Sequence, residues 1–152
     1  MATRLKSRAR DLYDEDFYVW AGSQAQLLRE GRYDELDMEH LIEEVEDLGG
    51  ALKRSVRSRA RTIMEHLLKL EHSPARDPRL SWRETIRTQR SELLGDLTPS
   101  LQRTLADELS DLYDRARHDA EASLRDHGEH AADALPNTCP YTPDQITGDW
   151  LP

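Results

Sequence analysis

The sequence predicts an all-α protein, a single-domain bundle of about five helices with a proline-rich C-terminal tail packed on it. Three observations carry this expectation. Apolar residues fall at Met38, Leu41, Val45, Leu48, Leu52, Val56, Ala60, Ile63, Leu67 and Leu70, each three or four residues after the last, a stripe that one long or once-broken helix is expected to bury. No stretch alternates apolar and polar residues with period two, so no sheet is expected. Helix start signals also recur along the chain: Ser81 with Glu84, Thr98 with Pro99, and Thr142 with Pro143.

Residues 1–12 read as a basic, flexible arm carrying Arg4, Lys6, Arg8 and Arg10, and 13–152 as one helical domain. Asp14 stands where a helix cap belongs, and Phe17, Trp20, Ala21, Leu27 and Leu28 then share a face over residues 15 to 30. Gly31 closes that helix in a left-handed conformation. Asp37 caps the next one. A continuous helix from there to Glu71 would span ~50 Å, longer than the ~40 Å diameter of one compact domain of this size, so a break is expected at Gly49 and Gly50. This gives helices near 38 to 48 and 50 to 71. The prolines Pro74 and Pro78 make a loop, the Ser81–Glu84 capping box opens a helix over 81 to 97, and Thr98 and Pro99 open another over 99 to 125. The tail is expected to cross the bundle and fix itself by Tyr141, Ile146 and Trp150.

The net charge of −9 over 152 residues disfavours binding to nucleic acid or to an anionic membrane surface, since the long-range field repels both. Cys139 is the only cysteine, so no intramolecular disulfide forms. The cytoplasm is the expected location, with no apolar run approaching the ~20 residues of a membrane span and no signal-peptide core.

The segments LYDEDFYVWA (Leu12 to Ala21), ELDMEHLIEEVEDLG (Glu35 to Gly49), SRARTIMEHLLKLE (Ser58 to Glu71), SWRETIRTQR (Ser81 to Arg90) and CPYTPDQI (Cys139 to Ile146) occur in this order over nearly the whole chain. Together they resemble the bacterial family catalogued as domain of unknown function 29. The resemblance implies a helical cytoplasmic protein without an established activity. Family members often carry an aromatic residue just after the LLK element, where this chain has Leu70.

Helical geometry places Asp37, His40 and Glu44 on one flank of the acidic segment, and Ser55, Arg59, Thr62 and His66 on one flank of the basic segment. A fold-back at Gly49 and Gly50, or other helices that draw the two segments together, would bring His40, Glu44, Arg59 and His66 into one polar network. Structural ion pairing is the plainer reading of that network, a functional pocket the sharper one, and solvated boundary positions the third. His40, Glu43, Glu44, Asp47 and His66 are metal-ligand types, but Glu-x-x-His is missing and no metal or other cofactor is expected. Cys139 reads as a packing or exposed thiol rather than a nucleophile. Trp82, Arg83, Arg87 and Arg90 form a basic edge, expected to pair with the acidic residues at 39 to 47, within the domain or across a partner interface, with a wholly solvated face as the alternative. The lack of a convergent catalytic set points to a non-enzymatic interaction or adaptor module, its partner another protein or a second copy. The alternative is a small metal-dependent or acid/base enzyme using the His40, Glu44, Arg59 and His66 cluster.

Overall fold

A computed structural model describes residues 12–152, so the basic arm up to residue 11 lies outside the described residues. The described chain is helical with no strand, and it falls into two compact units, one running to Ala51 and the other Leu52–Pro152. The division lies inside a helix that both units share.

In the first unit, residues 12–15 are helical and lead into α1 (Phe17–Arg29). Asp16, not Asp14, caps α1, its carboxylate accepting the Val19 N–H at 3.1 Å. Gly31 has φ 69° and closes α1 as expected, with its N–H on the Leu28 carbonyl and the Arg32 N–H on that of Leu27. These two bonds satisfy carbonyls that the helix end leaves free, and only a residue without Cβ takes that φ at no cost. A short 3₁₀ turn, Tyr33–Glu35, follows, held by Arg32 bonds to both Glu30 and Glu35. The buried residues here are few and half of them polar: Trp20, Leu36, Gln24 and Asp37.

Helix α2 (Met38–His72) is 35 residues long and unbroken, so the expected interruption at Gly49 and Gly50 does not form. Each glycine costs a helix interior only ~1 kcal/mol relative to alanine, which ordinary flanking turns absorb.

The second unit builds its core on the C-terminal half of α2, where Val56, Ala60, Ile63, Met64, Leu67, Leu68 and Leu70 are buried. Against them pack α3 (Arg79–Asp96), α4 (Pro99–Asp107) and α5 (Leu109–Asp126), which add Ile86, Leu93, Leu105, Leu112, Ala116, Ala120 and Leu124. Helix α3 starts two residues before Ser81 and has no side-chain cap, so the Ser81–Glu84 box is not used. Arg79 at its first position instead donates to the carbonyls of Leu70 (2.9 Å) and Ser73 (3.4 Å), satisfying the end of α2. Glu108 interrupts the helix expected over 99 to 125, and its carboxylate pairs with Lys53 (2.8 Å) and Arg57 (3.0 Å). Thr98 caps α4 as expected.

The tail passes a 3₁₀ turn at His130–Ala134 and ends in α6 (Pro143–Thr147), opened by a full capping box between Thr142 and Gln145. Tyr141 and Ile146 are buried and Trp150 packs partly buried against the same core. The Tyr141 hydroxyl donates to Glu71 at 2.6 Å and that of Tyr113 to the Pro136 carbonyl at 2.7 Å. Burial and the Glu71 carboxylate push the Tyr141 hydroxyl's pKa upward, and burial, with smaller contributions from Cys139, Asp114 and Glu71, raises that of Tyr113 to about 12.

Candidate functional site

The apolar stripe of α2 meets two different environments. From Val56 onward it is core, whereas Met38, Ile42, Val45, Leu48 and Leu52 stand exposed, Val45 and Leu48 each at 69%. At 100° per residue these five side chains fall within roughly 60° on either side of Val45, forming one face that continues for about four turns. The expectation that the whole stripe is buried therefore fails in its first half. Every fixed charge between Met38 and Leu52 is acidic: Glu39, Glu43, Glu44, Glu46 and Asp47.

Beside that face, the first turn of α2 is locked by a polar and aromatic cluster. The Asp37 backbone N–H donates to Gln24 Oε1 at 2.8 Å, and its buried carboxylate receives Trp20 Nε1 at 3.3 Å and His40 Nδ1 at 2.6 Å. The Tyr13 ring stacks on His40 with centroids 3.9 Å apart and donates its hydroxyl to Glu44 at 2.6 Å. Trp20 and Phe17 close around Tyr13. The hydrogen bond to the Asp37 carboxylate raises the His40 pKa, and the hydrogen bond to the Glu44 carboxylate pushes that of Tyr13 up to about 12. His40 and Glu44 are thus brought together, through Tyr13. That residue was not singled out from sequence, although Tyr13, Phe17 and Trp20 follow a helical four-then-three spacing.

Arg59 and His66 belong to the second unit and find their partners there. Arg59 pairs with Glu92 and lies 3.6 Å from Asp96, which also accepts from Ser55 at 2.8 Å. His66 donates from Nδ1 to the Thr62 carbonyl at 2.9 Å, and burial, then the nearby Lys69 ammonium, lowers its pKa. Among the described residues no three His, Cys, Asp or Glu side chains gather closely enough to hold a metal ion.

The basic edge divides. Arg90 is buried and spends its guanidinium on the tail, donating to the carbonyls of Gln145 (2.6 Å), Trp150 (2.7 Å) and Ile146 (3.0 Å). Burial lowers its pKa. Trp82 is half-buried and carries the Lys69 ammonium 5.6 Å over its ring. Arg83 and Arg87 remain exposed and line a cleft of about 460 Å³ with Leu94 and Leu151. Neither has a carboxylate within ion-pair distance among the described residues. Cys139 is half-buried, and burial pushes its thiol pKa up, away from nucleophile chemistry.

The architecture and this surface define an all-helical protein in which one long helix is half core and half open apolar face. No helix among the described residues is long and apolar enough to cross a membrane. The family model for Domain of unknown function DUF29 matches residues 12–151, and the chain belongs to that family. No curated protein and no solved structure matches it.

Proposed function

We propose that the protein is a non-enzymatic interaction module and that the exposed face of α2 docks an amphipathic helix with basic flanks from a protein partner. The observation that carries this is the run Met38, Ile42, Val45, Leu48 and Leu52, all at least 40% exposed on one face of an ordered helix. Contiguous apolar surface of this kind is costly to leave in water and marks docking sites. The three-and-four spacing suits a helix laid alongside. The charge selects its flanks, because the uniformly acidic segment attracts Lys and Arg. It also argues against a second copy, since either direction of self-pairing over 38–52 sets acid against acid. An acid/base enzyme reading retains only the Asp37–His40 pair beside Glu44, because Arg59 and His66 bond elsewhere.

The test is fluorescence anisotropy with a labelled peptide bearing leucines along a heptad seam and lysines on its flanks, beside a twin with glutamates there. The lysine peptide is expected to saturate, the glutamate twin to fail, and Val45→Gln with Leu48→Gln to weaken binding at least tenfold. Equal binding of the twins, or no loss in the variant, overturns the proposal. A concentration-dependent dimer in sedimentation, abolished by the same substitutions, gives the face to a second copy instead.

A further inference from the structure

A second surface, wholly within the Leu52–Pro152 unit, has the opposite charge. Arg54, Arg57 and Arg61 of α2 and Arg115 of α5 line one hollow of about 200 Å³, with Ser58 in its lining and Leu112 as an apolar wall. The three α2 arginines follow a three-then-four spacing, so one helix face aims them the same way. Like charges gathered in this manner repel, and the fold answers only part of the repulsion. Glu108 takes Arg57 at 3.0 Å and Lys53 at 2.8 Å, while Asp119 takes Arg61 through two nitrogens, Nη2 at 2.8 Å and Nε.

These carboxylates fix two guanidiniums without neutralising the hollow. Arg54 and Arg115 are exposed, and neither has a carboxylate within ion-pair distance among the described residues. The hollow thus keeps a positive balance in a chain of net charge −9. The geometry points to a binding site for a phosphate-type oxyanion, either free or carried as a monoester on a small organic molecule. Guanidinium forks match tetrahedral oxyanions in bidentate fashion, and the Ser58 hydroxyl supplies a neutral donor beside them. Arg57 and Arg61 are held in place before the ligand arrives, so less side-chain entropy is lost on binding. This inference is independent of the α2 docking face, since it uses neither those side chains nor the acidic segment.

Calorimetric titration at low salt tests it, with inorganic phosphate in one arm and phenyl phosphate in the other. The wild-type chain is expected to give saturable one-to-one binding in at least one arm, the tighter arm identifying the source of the phosphoryl group. Arg54→Gln with Arg115→Gln removes the same charge as Arg83→Gln with Arg87→Gln. The first pair is expected to weaken binding at least tenfold and the second to leave it unchanged. Because all four side chains are exposed, both variants should retain the wild-type circular dichroism and melting curve. Arg54→Lys with Arg115→Lys keeps the charge but loses the fork, and should fall between wild type and the glutamine pair. No saturable heat from the wild type in either arm overturns the site. Equal losses in the two glutamine variants do the same, reducing the effect to overall charge.

Discussion

The two halves of α2 share one apolar spacing and meet opposite fates. Val56, Ala60, Ile63 and Leu67 are no more than 1% exposed, whereas Met38, Val45, Leu48 and Leu52 are 40% exposed or more. The difference teaches that periodicity fixes which face of a helix is apolar but says nothing about what covers it. Cover comes from other elements. In the second unit α3, α5 and the tail provide it, and the face widens to take in Met64 and Leu68. In the first unit the well-buried side chains number few, and the cluster of Tyr13, Trp20, Asp37 and His40 grips α2 on its polar flank, leaving the apolar one open.

Truncation is the harshest way to break this comparison. Leu67→Ala removes a fully buried side chain and should cost ~2–5 kcal/mol, while Leu48→Ala should stay within ~0.5 kcal/mol, both read by denaturant unfolding. Comparable losses at the two positions would mean that the first half is covered in solution. Next in size is Arg90→Met, which leaves the carbonyls of Gln145, Ile146 and Trp150 without their donor. A loss of ~2–3 kcal/mol is expected, together with faster proteolysis of the tail, because buried acceptors without partners pay their desolvation cost.

These sites also show what was legible in the sequence. The buried face of α2 from Val56 onward, the Gly31 stop, the Thr98 and Thr142 caps and the tail anchors Tyr141 and Ile146 depend on local spacing or on apolarity, and all stand as expected. The Ser81 cap fails because a stronger distant demand, the free carbonyls of α2, fixes Arg79 and starts α3 early. Arg90 is also misread for want of local signal: its partners are backbone carbonyls more than fifty positions away, and backbone leaves no trace in composition. Of the candidate network, Asp37, His40 and Glu44 share a flank on one stretch of helix and so come together, while the fold-back at the glycines does not form and Arg59 and His66 take their partners within the second unit.

The pH response should separate the units in sign. His40 titrates above its ordinary 6.5 because of its bond to Asp37, with Glu39 and Glu43 adding to the shift. Its contribution is complete below 6.5 and is lost as pH rises through the raised value. His66 titrates below 6.5 because it is buried beside Lys69, with Glu65 partly opposing. Its contribution is complete above 6.5 and is lost as pH falls toward the lowered value. Nuclear magnetic resonance titration of the two imidazoles should place them on opposite sides of 6.5, and a swapped order would contradict both environments. The smallest effect expected is a null one: a cycle of Glu44→Gln and Arg59→Met should give a coupling below ~0.5 kcal/mol, as for independent sites. A larger coupling would restore the network that an unbroken α2 separates.

Hydrogen–deuterium exchange along α2, with and without the lysine-flanked peptide, tests the central claim most directly. In the free protein, amides from Val56 to Leu70 should exchange slowly and those from Leu41 to Leu52 faster, following the burial of their side chains. On addition of the peptide, new protection should appear between Leu41 and Leu52 and leave Val56 to Leu70 unchanged. Protection confined to other helices, or none at saturating peptide, would contradict the assignment of this face as a docking surface.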